Sequence, residues 1–146
     1  MYKDTNFLFI IHATNIIFAE NIDDTMDKEN KGEKDFSSMT PEDRIYYVTE
    51  KAKEALKTVY DPEIPVNIYD LGLIYKIDFD PQDSTLHVDM TLTAPSCPAA
   101  DFLVEDARMK LAGIEGPEKL DLRLVFEPEW DKDMMSEEAK LELGFL

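Results

Sequence analysis

An alternation of apolar and polar residues on both sides of a turn decides the fold, in the stretch LIYKIDFDPQDSTLHVDMTL at residues 73–92. Every second residue is apolar from Leu73 to Phe79 and again from Leu86 to Leu92. A period of two is the side-chain period of a β-strand, and the DPQDS segment between the two series is rich in turn formers. The stretch therefore predicts an antiparallel β-hairpin with one polar face.

Helical and strand patterns flank this hairpin. Thr40 as N-cap and Pro41 as first helical residue open a helix predicted over residues 41–59. Further predictions are a helix over 98–112 closed by Gly113, a strand over 120–126, and a helix over 136–143 ended by Gly144, with Trp130 packing this last helix onto the sheet. The order α-β-β-α-β-α predicts an α/β (α+β two-layer) fold, with a small mixed sheet and helices mainly on one face. The helix residues predicted to be buried are Ile45, Val48, Ala52, Ala55, Leu56, Val59, Ala100, Val104, Ala107 and Leu111.

The composition predicts one acidic domain. The chain has 146 residues, with 32 Asp and Glu against 15 Lys and Arg, and a formal net charge of −17. Its 44% apolar residues can fill one core, which excludes a chain that is disordered throughout. Carboxylates spread along the chain would repel phosphate backbones, so nucleic acid is not an expected partner. The single cysteine cannot form an intrachain disulfide and fits a reducing compartment.

A change of composition near residue 39 divides the chain into an N-terminal extension, 1–38, and a domain, 39–146. The apolar run at 7–19 is shorter than the roughly 20 residues that span a bilayer, and it lacks the basic start and cleavage site of a signal peptide. The charged stretch after it predicts a disordered connector. Two interpretations of the extension stay open. It is a disordered or non-native segment, since Met26 and Met39 are alternative starts, or it is a docking helix for a partner.

Cys97, in the loop TLTAPSCPAAD at residues 91–101, is the main candidate for chemistry. The pattern predicts that it is the N-cap of the second helix and that Pro98 is the first helical residue. Backbone N–H groups and the helix dipole stabilise an anion at such a position, and a thiolate is both a nucleophile and a metal ligand. A lone cysteine is often a buried apolar residue instead, so both interpretations stay open. His87 would have to fold back to act as a base, and a solvated histidine on the polar strand face is the favoured interpretation.

Three carboxylates form a second candidate group, because Asp61, Glu63 and Asp70 lie within ten residues in a proline-stiffened loop. Carboxylates can bind a cation or act as general acid and base, but aspartates at such positions also cap turns through their side chains. Thr91 and Thr93 lie on one strand face that leads to the cysteine, where their hydroxyls could donate hydrogen bonds. Ordinary β-propensity is the alternative explanation for both threonines.

Three motifs together resemble the SufT/PaaD-type family of iron-sulfur cluster assembly domains. They are DPEIPVNIYDLGLIY at 61–75, MTLTAPSCP at 90–98, and Trp130 followed by MSEEAKLELG at 135–144. The resemblance covers residues 41–146 and is closest to the stand-alone SufT branch, since the cysteine-rich extension usual in PaaD-like proteins is absent. It implies a small α/β auxiliary factor, rather than an enzyme, that helps to mature iron-sulfur client proteins in the cytoplasm.

The resemblance also implies a site and partners. Cys97 is then the functional cysteine, surrounded by Asp61, Glu63, Asp70, Thr91 and Thr93. The implied cargo is iron or an iron-sulfur cluster, held transiently. The implied partners are an iron-sulfur scaffold or carrier and client apo-proteins, with no nucleic acid and no membrane.

Ligand chemistry limits how one chain could carry a cluster. A cluster usually takes four protein ligands, mostly thiolates, and this chain offers Cys97 alone. Stable binding by a monomer is therefore not expected. Three arrangements stay open: a homodimer that bridges a cluster through paired cysteines, transient hand-over of iron or a cluster, and adapter work without metal. Hand-over or adapter work is favoured, because an acidic surface and an exposed thiolate suit brief docking.

Two functions from other classes remain as alternatives. The first is a cysteine-dependent hydrolase or transferase, with Cys97 as nucleophile and Asp61 or Asp70 orienting a base. It is disfavoured because no convincing base stands beside the thiol in the sequence. The second is a metal-binding regulator that uses Asp61, Glu63, Asp70 and Cys97, whose mixed oxygen and sulfur ligands would suit zinc or iron better than magnesium.

Overall fold

The computed structural model describes residues 35–146, which form three α-helices and one three-stranded sheet. In chain order the elements are α1 (Pro41–Leu56), β1 (Ile74–Asp80), β2 (Thr85–Met90), α2 (Ala100–Ala112), β3 (Lys119–Leu124) and α3 (Glu137–Glu142). Short 3-10 helices lie at Phe36–Ser38 and Lys132–Met134. The predicted order α-β-β-α-β-α is therefore confirmed, and the fold is α+β.

The sheet has the order β1-β2-β3 and is mixed, as the sequence predicts. β1 and β2 are antiparallel, with Phe79 opposite Leu86, whereas β2 and β3 are parallel, with Val88 opposite Leu122. A register shift in β1 between Ile74 and Lys76 marks a β-bulge. Because β2 and β3 run in the same direction, their carboxyl ends lie at the same edge of the sheet.

Both long helices pack on one face of this sheet. α1 contacts β1, α2 contacts β3, and the two helices contact each other. The strand residues buried beneath them are Phe79, Leu86, Val88 and Met90. The other face carries the polar residues of the strands, where His87 Nδ1 lies 3.0 Å from Asp121 Oδ2. The hairpin therefore has an apolar and a polar face as predicted, except at the β-bulge, where Tyr75 is only half-buried.

The helix α1 differs from the prediction at its C-terminal end, and both long helices differ from it in the residues that they bury. α1 ends at Leu56, because the amides of Thr58 and Val59 bond three residues back, the latter to the Leu56 carbonyl (3.2 Å), and the chain turns away. Ile45 is 37% exposed, since burial on α1 begins one turn later at Val48. In α2 the buried set includes Leu103, which the predicted apolar face omitted.

The segment after β3 is hydrogen bonded to the loop that precedes β1. The indole N–H of Trp130 donates to the Leu71 carbonyl at 2.8 Å, and the Ser136 amide donates to the Asp70 carbonyl at 2.8 Å. Ser136 caps α3 through a 3.2 Å hydrogen bond from the Ala139 amide to its Oγ. Trp130 thus packs the C-terminal segment onto the domain, and its hydrogen bond goes to this loop.

Packing at the N-terminal side begins before the predicted boundary at residue 39. The ring of Phe36 lies 5.9 Å from that of Tyr47 and 6.3 Å from that of Phe79, measured between centroids. The Arg44 guanidinium stands 5.4 Å from the Phe36 ring centroid. The predictions for residues 1–34 lie outside the described residues. Within residues 35–146, none of the helices is long and apolar enough to cross a membrane.

Candidate functional site

Cys97 lies in the loop that connects the end of β2 to the start of α2. The loop is built from two consecutive turns, in which the Cys97 amide donates to the Ala94 carbonyl (3.3 Å) and the Ala100 amide donates to the Cys97 carbonyl (3.1 Å). The side chain is half-buried and its thiol is free. The sulfur is therefore held at the carboxyl edge of the parallel strand pair, where α/β proteins commonly bind ligands.

The prediction that Cys97 caps α2 is wrong. The helix N-cap is Ala99, two residues later, and the helix begins at Ala100 rather than at Pro98. The reason is that Pro98 and Ala99 are the central residues of a tight turn, which the hydrogen bond from the Ala100 amide to the Cys97 carbonyl closes. The first hydrogen bond with α-helical spacing runs from the Leu103 amide to the Ala99 carbonyl (3.0 Å). Alanine has no capping side chain, so the first turn of α2 keeps backbone N–H groups without a side-chain cap.

Thr91, six residues before the cysteine, is buried at 1% exposure. Its amide donates to the Leu73 carbonyl at 2.7 Å, but its hydroxyl Oγ1 makes no hydrogen bond to any described residue. Thr93 is half-buried. An unpartnered buried hydroxyl costs free energy, and such groups are rare in native proteins. The buried, unpartnered hydroxyl thus distinguishes Thr91 from the half-buried Thr93.

We expect Thr91→Val to raise the free energy of unfolding by about 1 kcal/mol, because valine keeps the shape and removes the unpartnered hydroxyl. Thermal or denaturant unfolding measures this change. Thr93→Val is the matched control, and we expect it to change the free energy of unfolding by less than about 0.5 kcal/mol. Destabilisation by Thr91→Val would contradict the prediction and would show that Oγ1 is hydrogen bonded in solution.

The three predicted carboxylates occupy different environments. Asp61 is 7% exposed, and its Oδ1 accepts a hydrogen bond from the Glu63 amide at 2.8 Å, which closes an Asx-turn. The Glu63 side chain is exposed. Asp70 exchanges two hydrogen bonds with Asn67, one from its amide to Oδ1 (2.9 Å) and one from Nδ2 to Asp70 Oδ2 (2.7 Å). Asp61 thus caps its own turn, whereas Asn67 caps the turn at Asp70 and the Asp70 carboxylate accepts from the Asn67 side chain.

A short backbone ladder brings these turns to the strand end that leads to Cys97. Ile68 N–H donates to Val59 O (2.9 Å), Leu73 N–H to Ile68 O (3.1 Å), and Thr91 N–H to Leu73 O. Backbone segments that are hydrogen bonded to one another therefore lie at the base of three loops, which contain Asp61, Asp70 and Cys97. The carboxylates do not form a metal cage, since within residues 35–146 no three His, Cys, Asp or Glu side chains are placed to hold one ion.

The structure also shows a feature that the sequence analysis missed. A cavity of about 520 Å³ lies on the polar side of the sheet, lined in part by Tyr75, Asp89 and Met134. The Tyr75 hydroxyl donates to the Pro128 carbonyl at 2.8 Å, and Asp89 Oδ1 lies 3.0 Å from Arg123 Nη2 in an ion pair that lacks hydrogen-bond alignment. None of the predicted site residues lines this cavity. Its walls come from segments far apart in sequence, so no local motif signals it.

This architecture defines a small α+β domain with a single cysteine on the loop between a parallel strand and a helix. The family model for iron-sulfur cluster assembly proteins matches residues 49–121, half of the chain. The chain belongs to this family.

Individual relatives agree with this assignment. The chain is 65% identical over 91 residues to an Fe-S protein maturation auxiliary factor of Porphyromonas gingivalis, which covers 62% of this chain and 86% of that protein. It is 40% identical over 86 residues to the Fe-S protein maturation auxiliary factor SufT of Staphylococcus aureus, covering 59% of this chain and 97% of that protein. A solved domain of unknown function from Bacillus anthracis superposes with a TM-score of 0.64 at 31% identity, covering 70% of this chain and 96% of the other.

Proposed function

We propose that this chain is an auxiliary factor in the maturation of iron-sulfur proteins, in which Cys97 binds iron or a cluster transiently and passes it to a client. The observation that carries the proposal is the position of Cys97, half-buried on a loop at the carboxyl edge of the parallel strands. Membership of the family supports it, as do relatives named as maturation auxiliary factors.

Transient binding follows from the ligands available. One thiolate cannot complete the coordination of a cluster, and the described residues place no group of three ligands together. The remaining ligands come from a carrier, a client or a second copy of this chain. Hand-over is then a ligand exchange, in which a client thiolate replaces the Cys97 thiolate on iron without a change of oxidation state.

The residues around the cysteine have supporting roles in this proposal. Asp61 caps its turn and the Asp70 carboxylate accepts from Asn67, and these hydrogen bonds shape the two loops next to the cysteine stem. The Thr91 hydroxyl is the buried polar group available to a ligand or water at the base of the loop. Glu63 and Thr93 border the same loops, where Glu63 adds negative charge at the surface.

An auxiliary role fits better than catalysis by the chain itself. A cysteine hydrolase needs a base beside its thiol. His87, however, lies on the polar strand face with Nδ1 3.0 Å from Asp121. The partners in this proposal are an iron-sulfur scaffold or carrier and client apo-proteins, in the reducing cytoplasm.

Anaerobic reconstitution with iron and sulfide tests whether the chain carries the cargo itself. We expect a visible chromophore and bound iron that depend on Cys97, with less than one cluster per chain because a single thiolate binds weakly. Absorption, iron per chain and oligomeric mass are the measurements, with Cys97→Ser as the comparison. An equal chromophore in Cys97→Ser, or none in a folded sample, would contradict direct carriage and favour an adapter.

A further inference from the structure

The solvent side of α2 carries two exposed apolar side chains with two carboxylates between them. Phe102 is 62% exposed and Met109 is 61% exposed. With Glu105 and Asp106 they occupy positions i, i+3, i+4 and i+7 of the helix, which lie on one face. The buried residues Leu103, Ala107 and Leu111 occupy the opposite side and fix this orientation. We call the four residues the outer face of α2.

The outer face has the form of a helix-docking surface. Its two apolar side chains are about 10 Å apart along the helix, the spacing at which a partner helix places anchors two turns apart. Large exposed aromatic and methionine side chains are enriched at protein interfaces. Arg108 compensates the negative charge only weakly, because its Nε is 3.8 Å from Glu105 Oε2 and both side chains are exposed.

We propose that the outer face of α2 docks a basic amphipathic helix of the partner that gives or receives the cargo of Cys97. This inference rests on the proposed function. The partner helix would bear Lys or Arg opposite Glu105 and Asp106, with apolar residues on either side opposite Phe102 and Met109. The charge of the whole chain, −17, would steer such a segment towards this surface. Since α2 begins three residues after Cys97, docking here places the partner beside the cysteine loop.

Charge argues against other occupants of the outer face. In a two-fold dimer through this face, Glu105 and Asp106 would meet the same acidic residues of the second copy. The apolar run at residues 7–19 of this chain contains no Lys or Arg. An anionic membrane surface would repel the two carboxylates. A basic protein segment is the occupant that satisfies both the apolar and the acidic positions.

Variants of the outer face test the inference in cells whose only copy of this protein is the full-length variant. We expect Phe102→Ala combined with Met109→Ala, and separately Glu105→Lys combined with Asp106→Lys, to lower the activity of a [4Fe-4S] client enzyme about tenfold. Leu141→Ala is the matched control, since Leu141 is 67% exposed on another helix, and it leaves client activity unchanged. Thermal unfolding and the rate of Cys97 alkylation by iodoacetamide stay at the level of the unsubstituted protein in all variants.

Photo-crosslinking identifies the occupant directly. A benzoylphenylalanine at position 109 is expected to form an adduct with a segment that carries paired Lys or Arg between apolar residues, in an iron-sulfur carrier or client. Adducts to residues 1–34 or to a second copy of this chain, or full client activity in the Phe102 and Met109 variant, would overturn the inference. If Cys97→Ser also keeps full client activity, the proposed function itself fails. If only Cys97→Ser loses activity, the docking surface alone is refuted.

Discussion

Replacement of Cys97 by serine is expected to lower the activity of iron-sulfur client enzymes at least about tenfold in cells that depend on this chain. Losing a group that binds or supports a metal typically costs 10- to 100-fold in affinity or activity, and a serine hydroxyl is a far poorer ligand for iron than a thiolate. Client enzyme activity in extracts, normalised to the amount of client polypeptide, is the measurement. The effect is large because the chain has no second cysteine to substitute for Cys97.

Ser96→Ala is the matched control for this experiment. Ser96 is the exposed neighbour of Cys97 in the same loop, so its substitution tests the loop without touching the sulfur. We expect it to keep full client activity, and we expect both variants to unfold within about 0.5 kcal/mol of the unsubstituted protein. Normal client activity in Cys97→Ser at normal protein level would remove the thiolate from the mechanism and leave an adapter.

The order of elements could be predicted because it depends on local periodicity. The hairpin in residues 73–92 and the N-cap at Thr40 each depend on contacts over a few residues, and both appear in the structure as predicted. The hydrogen bond from the Asp43 amide to Thr40 Oγ1 (3.2 Å) is one example. Local rules sufficed where the stabilising contact is itself local.

The start of α2 shows where local rules were insufficient. Proline is favoured as a first helical residue, so the sequence placed Cys97 at the N-cap. Pro98 is equally compatible with the tight turn that precedes Ala100, and the choice between the two depends on how α2 packs against α1 and β3. The cysteine therefore lies two residues further from the start of the helix than its motif indicates.

Burial of Thr91 depended on tertiary contacts in the same way. The period of two placed Thr91 on the polar strand face with His87 and Asp89, both of which are half-buried. Thr91 lies past the end of β2, bonded to Leu73, and is almost fully buried there. Periodicity assigns a side chain to a face of the sheet, but it does not encode which part of that face other segments cover.

Gly72→Ala is expected to give the largest loss of stability among the predicted substitutions, about 3 kcal/mol, or a fall in Tm of about 10 °C. Gly72 has φ +77°, a conformation that costs roughly 1–2 kcal/mol for an L-residue. An added Cβ would also meet the backbone of Met134, 2.7 Å from its carbonyl carbon, where no side-chain rotation can relieve the contact. Thermal and denaturant unfolding of the full chain measure the loss.

Gly144→Ala separates the two causes. Gly144 has nearly the same backbone angle, φ +78°, but an added Cβ there has no atom within 4 Å. We expect this control to cost only the conformational term, roughly 1 kcal/mol. The difference between the two variants then measures how tightly the segment that includes Met134 closes over the turn after Asp70. Equal losses would mean that this segment shifts away without cost. The hydrogen bonds from Trp130 to Leu71 and from Ser136 to Asp70 would then contribute little to holding the segment after β3 against the loop that precedes β1.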